Sequence, residues 1–400
     1  MEKKMISERV RNITPSATLG LTTRVNQLKK EGITVIALNV GEPDFGTPEN
    51  ICEAGIKAIK DQKTKYTTVS GINELKDAIC AKLKRDNGLS YEPAQITVGT
   101  GAKQSLLNCI LTIIDPGDEV IIPKPCWVSY IEMVKLAGGV PVFVACKEDE
   151  EFALDIEALK AAITPKTKAV LFNTPNNPTG AVYSEESLRQ LAELAKEHDF
   201  YMIADEVYEK LIYDGYKHFS VASVSEDAYN RTIIINGISK AYSMTGWRIG
   251  FAAGPKDVIK GMNALQGHAT SNASSIAQYA AVEAFNGPQE SIELMRQEFY
   301  KRLQYVLGRL RAMPGVTCAG SHGAFYLMPN VKSFYGKSYN GKVIKDSFDL
   351  SDYLLDEARI ALVPGAAFEA PDNLRISYSN SMENLTKALD QMEAALAKLK

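Results

Sequence analysis

Short apolar runs and stretches with helical periodicity alternate along this chain for over two hundred residues. Ile96 to Val98, Val120 to Ile122, Val140 to Val144, Ala169 to Phe172, Tyr201 to Ala204 and Thr232 to Ile235 read as buried strands, while Ile51 to Lys60 and Ile72 to Arg85 read as helices. Helical patterns of roughly ten to fifteen residues separate most of the strands. This is the βα alternation of a mostly parallel sheet with helices on both faces. Ligands in such sheets bind outside the carboxyl ends of the strands, so the turns that follow them are where chemistry is expected.

After Gly254-Pro255 come a helix near Val258 to Leu265, a polar stretch Gly267 to Ser275 and a long amphipathic helix from about Ser291 to Met313. The long helix reads as a bridge to a second unit. That unit holds Gly323 to Leu327, a helix Phe348 to Arg359, the run Ala361 to Pro364, a strand Leu374 to Tyr378 and a closing helix from Met382. Short strands mixed with helices predict a smaller α+β domain, completed by the N-terminal segment. In that segment Thr14 to Thr18 marks a helix start, Thr34 to Asn39 a strand and Gly41 to Phe45 a turn whose glycine lets backbone approach a ligand. The expected division is 1–46 for the N-terminal segment and part of the small domain, 47–290 for the large domain, and 291–400 for the rest of the small domain with its bridging helix.

Composition narrows the function classes. The 400 residues are 45% hydrophobic with a formal net charge of −3, which leaves no basic footprint for nucleic acid. No apolar run reaches the length of a membrane span, and the charged first residues are unlike a secretory signal. The six cysteines are scattered without a Cys-x-x-Cys pair, which predicts reduced thiols in a cytoplasmic protein and no zinc site.

The strand ends carry the candidate chemistry. Ser239 and Lys240 follow the Thr232 to Ile235 run, and a lysine held there in few-charge surroundings loses its proton readily and can attack a carbonyl carbon. Arg248, eight residues on, offers a guanidinium fork suited to phosphate. Thr97 to Gln104 leaves a strand through small residues into a helix, which fits either a phosphate cradle at Gly101 and Ala102 or a tight structural turn. Trp127 fits either a core aromatic or a flat surface for a heteroaromatic ring. Asn173 to Gly180, with Asn177, reads as a loop after a buried strand. Asp205 ends the next apolar strand and needs a partner there, which a protonated ring nitrogen would supply. Arg375 sits in an apolar strand and demands an anion, either a structural carboxylate or a substrate.

The string from Thr232 to Phe251 resembles the cofactor-lysine signature of class I pyridoxal-phosphate aminotransferases of fold type I, and matching strings recur in order from residue 14 to residue 381. The likeness implies that Lys240 forms a Schiff base with pyridoxal 5'-phosphate and then shuttles the substrate proton. It implies that Asp205 holds the pyridine nitrogen protonated, that Tyr208 and Asn177 bond the ring oxygen, and that Trp127 and Val207 flank the ring. Gly101, Ala102, Ser239 and Arg248 would hold the phosphate, with Tyr66 reaching in from a second subunit of a homodimer. Arg375 and Gly41 would hold the substrate carboxylate beside Trp127 and Asn177. Gly237 departs from members that carry a hydroxyl residue there.

Pro15 to Thr18, Gly41 to Phe45 and Gly101 to Gln104 resemble the bacterial-type aspartate aminotransferase subgroup. In that subgroup Lys103, with Ser16 and Thr18, would receive the second carboxylate, although on spacing alone helix capping is the favoured reading of both hydroxyls. The implied reaction is L-aspartate with 2-oxoglutarate, and the N-terminal segment would close over the substrate. The alternative is an aromatic or prephenate aminotransferase; a pyridoxal-phosphate lyase and a pyridoxal-phosphate-binding regulator are the other readings. No metal is implied.

Overall fold

The computed structural model describes residues 6–15 and 17–400, with backbone only for Ala17 and Thr18. Its centre is a seven-stranded sheet. From one edge to the other the strands are Ile96–Gly99, Gly250–Ala253, Thr232–Gly237, Tyr201–Asp205, Thr167–Asn173, Glu119–Lys124 and Val140–Ala145. All neighbours run parallel except Gly250–Ala253, which is antiparallel to both of its partners. Sequence pattern missed that strand because Gly-Phe-Ala-Ala lacks the β-branched run that marked the other six.

Alternation of side chains explains how one sheet organises two cores. Ile233, Ile235 and Ile203 join the core beneath the helices Ala102–Ile113 and Lys256–Ala269. Ile234 and Phe251 join the opposite core, under Asn73–Asn87 and Ser275–Asn286. The helix Ser275–Asn286 was absent from the sequence reading. Its buried alanines Ala277, Ala280, Ala281 and Ala284 share one face, but the apolar Ile276, Tyr279 and Val282 lie off that face and leave little amphipathic contrast. The helix Glu185–His198 is capped by the Ser184 hydroxyl, which accepts from Ser187 N at 3.1 Å, with Glu185 and Glu186 in the first turn.

The helix Glu290–Ala312 leads into the smaller α+β unit, whose sheet joins Val363–Pro364, Leu374–Ser377 and Tyr326–Leu327 antiparallel. The N-terminal segment packs on that unit. Ile36–Ala37, shorter than the expected strand, pairs in parallel with Ile360–Ala361, and Val25 and Val35 share a small core with Leu355 and Ala361. One large core runs from this unit across to Tyr208, Leu211 and Tyr213 of the larger one. The strand ends of the large sheet therefore face the small sheet across a cleft.

Candidate active site

In the large sheet Asn173 and Asp205 are register partners, as are Asp205 and Ile235, so three adjacent strands end at one level. A cavity of about 290 Å³ opens there. Gly41, Ala102, Lys103, Trp127, Asn177, Asp205, Val207, Tyr208, Ser239, Lys240, Arg248 and Arg375 all line it. The topology thus brings together residues that lie as far apart in sequence as Gly41 and Arg375.

One corner is built for an anion. The helix Ala102–Ile113 starts here, and the first N–H groups of a helix have no partner within it. Gly101 precedes it with φ +81°, and a Cβ there would run into the Arg248 guanidinium. Only glycine lets the arginine lie this close to the turn. Arg248 itself has a left-handed φ of 58° and donates to the Thr245 carbonyl at 2.8 Å. Gly101 does not line the cavity but shapes this corner from behind. Gly237 is also accounted for, since a Cβ there would lie 2.9 Å from Gly250 Cα and from Ile249 O, both main-chain atoms. A hydroxyl residue cannot enter without moving the neighbouring strand.

The partly buried Lys240 donates to the Gly41 carbonyl at 2.5 Å and faces the rings of Tyr208 and Phe325 at 5.9 and 6.0 Å. Burial pulls its pKa down to about 8; Glu42 opposes this, while the nearby Arg375 and Arg248 cations add to it. A useful fraction of neutral amine therefore exists near neutral pH. Asp205 is shifted the other way, with burial lifting it to about 6 despite hydrogen bonds from Tyr130 Oη at 2.7 Å and Val207 N at 3.3 Å. A buried carboxylate so destabilised is suited to a cationic partner.

Arg375 is 3% exposed and projects from the small sheet. It donates to Asn177 Oδ1 at 3.0 Å and to the Asn39 carbonyl at 2.7 Å, while its Nε lacks a partner. Its guanidinium lies over the rings of Tyr326 and Phe368 at 4.6 and 4.9 Å. Among the described residues no Asp or Glu pairs with it, so the structural carboxylate that the sequence left open is not what neutralises this cation. Lys103 extends over Trp127 at 4.7 Å from the ring centroid, its pKa lowered by burial and by Arg248.

Sequence reasoning missed three participants. Tyr130 bonds Asp205. Asn173 donates to the Asp205 carbonyl at 2.8 Å and accepts from Asn177 N at 2.7 Å, locking the loop in place. Tyr326 bonds Tyr208, oxygen to oxygen, at 2.9 Å. Nothing local marks the two tyrosines as different from core aromatics; Asn173, at a strand end in an otherwise apolar run, was the one readable signal. Of the expected residues, Tyr66 is 92% exposed and outside the cavity of this single chain. Ser16 and the Thr18 side chain lie outside the described residues.

The chain matches the family described as aminotransferase class I and II over residues 33–392. It is 50% identical to an aspartate aminotransferase of Geobacillus stearothermophilus, covering 97% of this chain and 98% of that relative. It is 47% identical to an aspartate/prephenate aminotransferase of Cereibacter sphaeroides, covering 98% and 99%. Among solved structures, the aspartate aminotransferase of Rhizobium meliloti superposes with a TM-score of 0.95 at 44% identity over the full length of both chains. That of Thermus thermophilus, described with maleate, gives 0.92 at 43% identity, covering 98% of this chain and 100% of the other.

Proposed function

This chain belongs to the aminotransferase class I and II family, and from that premise we propose that it carries pyridoxal 5'-phosphate and moves the amino group of L-aspartate to 2-oxoglutarate. It is an aminotransferase acting on amino acid and 2-oxo acid substrates; the products of the proposed pair are oxaloacetate and L-glutamate. The observation that carries the dicarboxylate is the presence of two cations in one cavity, Arg375 with no carboxylate partner among the described residues and Lys103 over Trp127. Each suits one carboxylate of the substrate. The Thermus thermophilus relative, described with maleate, supports the same class of ligand.

The residues present fit the cofactor. Arg248, Ser239, Gly101 and Ala102 would hold its phosphate, Asp205 its ring nitrogen, and Tyr208 and Asn177 its ring oxygen, with Trp127 and Val207 on the two faces. When bound, pyridoxal phosphate supplies an electron-poor ring that accepts the electron pair released at the substrate Cα. The chain does the rest. Arg375 grips the α-carboxylate and so orients the Cα–H bond. Lys240, with its pKa brought to about 8, would be the amine that holds the cofactor and the base positioned to take the proton from the substrate Cα. Asp205 would hold a proton on the ring nitrogen, and that positive charge would relieve the cost of burying the carboxylate.

Tyr66, exposed here, would be supplied to the phosphate site by a second copy, making the working unit a homodimer. Leu19, on the helix Ala17–Lys30, lines the cavity mouth, which supports closure of the N-terminal segment over the substrate. All six cysteines are free, as expected of a cytoplasmic protein, and no described helix is long and apolar enough to cross a membrane.

The test is the absorbance of the protein loaded with pyridoxal phosphate. L-Aspartate alone should convert the visible band to the pyridoxamine form, and 2-oxoglutarate should restore it. Lys240→Ala should abolish the lysine-dependent band. The Cereibacter sphaeroides relative favours a second substrate, since prephenate also carries two carboxylates; conversion by glutamate and reversal by prephenate but not by oxaloacetate would replace the first reading. A band that no amino acid converts would refute both.

A further inference from the structure

Tyr208 and Tyr326 come from opposite sides of the cleft, Tyr208 from just beyond the strand Tyr201–Asp205 and Tyr326 from the small sheet. Their hydroxyls lie 2.9 Å apart, and both side chains are buried. Each phenol has a single proton, so one must donate to the other. If Tyr208 donates to Tyr326, its proton is spent inside the protein and none is left for a ligand in the cavity. The opposite direction leaves the Tyr208 proton free.

Two observations decide the direction. The Arg375 guanidinium lies 4.6 Å from the centroid of the Tyr326 ring, where a cation withdraws electron density and makes the phenol a better donor. Burial raises both phenols. Arg375 pulls both down, but for Tyr326 it is the largest influence opposing burial, whereas for Tyr208 the neighbouring Tyr326 raises the phenol more than Arg375 lowers it. In addition, the Tyr326 oxygen is packed against Gly41, where a Cβ would lie only 2.5 Å from it, so the hydroxyl is held at Tyr208 by its surroundings.

We propose that Tyr326 is a positioning residue whose hydroxyl donates to Tyr208, turning the Tyr208 proton toward the ring oxygen of the cofactor and strengthening that bond. Chains of hydrogen bonds polarise one another, by roughly 10–30% per bond. The effect passes entirely through Tyr208. It rests on the cofactor assignment made above and goes beyond it by giving a small-domain residue control over the protonation of the Lys240 linkage. A ring oxygen that is better supplied with a donor bears its negative charge more easily, which lowers the pKa of the proton shared with Lys240.

The experiment is a pH titration of the visible absorbance of the loaded protein for the unsubstituted chain, Tyr326→Phe, Tyr208→Phe and the double variant. Phenylalanine keeps the ring under Arg375, and circular dichroism checks that each variant folds. Tyr326→Phe should raise the apparent pKa by a few tenths of a unit, the size expected from losing one cooperative bond. Tyr208→Phe should raise it further, and Tyr326→Phe should add nothing in that background. A single variant that titrates like the unsubstituted chain or shifts downward, or a full additional shift in the double variant, overturns the proposal. Absence of any titrating band in the unsubstituted protein overturns the cofactor assignment together with it, so the two failures are told apart.

Discussion

Asp205→Asn should make the cofactor-free protein more stable while destroying its activity. The Asp205 carboxyl has an ordinary value of 3.8 and is lifted by burial to about 6 in the fold. The folded state therefore binds this proton more tightly than the unfolded chain. Stability from this group is full below the ordinary value, falls as pH rises through the window from 3.8 to about 6, and stays lost above it. The difference of about 2.2 units is worth about 3 kcal/mol at 1.36 kcal/mol per unit. Asparagine carries no charge, so it escapes that penalty, and its oxygen can still accept from Tyr130. Its amide nitrogen would face the Val207 N–H, a long bond at 3.3 Å, at a cost of about 1 kcal/mol. The expected net gain is about 2 kcal/mol at pH 8. Near pH 4.5 the carboxylate penalty falls to about 1 kcal/mol and the gain should vanish. Urea denaturation of both proteins at equal concentration, free of cofactor, measures this directly. Turnover of the loaded variant should fall by about 10²-fold or more, because the ring nitrogen loses its counter-charge. Equal stability at pH 8, or a gain that does not shrink in acid, would refute the assignment of Asp205 as a buried charge held in wait for a cation.

Three further outcomes are expected. Lys103→Met keeps length and removes charge, so kcat/KM for L-aspartate should drop by about 10²-fold while that for an aromatic amino acid changes little; equal losses for both would show that Lys103 does not discriminate. Gly237→Ala forces a methyl group against Gly250 Cα and Ile249 O at 2.9 Å and should cost about 1–3 kcal/mol, read as a lowered melting temperature of the cofactor-free protein. His218 lies beneath the site, 3.1 Å from Glu206 and 4.0 Å from Glu209, and Lys82 also pairs with Glu209. Burial pulls its pKa down, but attraction to Glu206 and then Glu209 carries it above the ordinary 6.5, so its contribution to stability is full below pH 6.5 and lost as pH rises through the folded value. Urea midpoints followed from pH 6 upward should decline, and His218→Gln should remove that part of the decline.

Much of the large domain was legible because buried parallel strands must be apolar along their whole length, and β-branched runs such as Thr232 to Ile235 announce them. The strand Gly250–Ala253 and the helix Ser275–Asn286 were not, since buried glycines and alanines differ too little in hydrophobicity from their neighbours to stand out. Lys240, Asp205 and Arg375 could be singled out because a charged group at the end of, or within, an apolar strand has to be explained by something.

The sequence by itself determined most of the alternation of strands and helices, the glycine at Gly101 and the charged residues that a buried strand end cannot leave unpartnered. All of these follow from local sterics and from the cost of burying polar groups. Only the tertiary structure decided which of those residues meet. It turned the Lys240 amine toward Gly41, set Tyr130 on Asp205, laid Tyr326 between Tyr208 and Arg375, and left Arg375 without a carboxylate among the described residues. Those contacts join residues from 49 to 199 positions apart. Desolvation and Coulomb interactions act through distance in space, which one-dimensional order does not record.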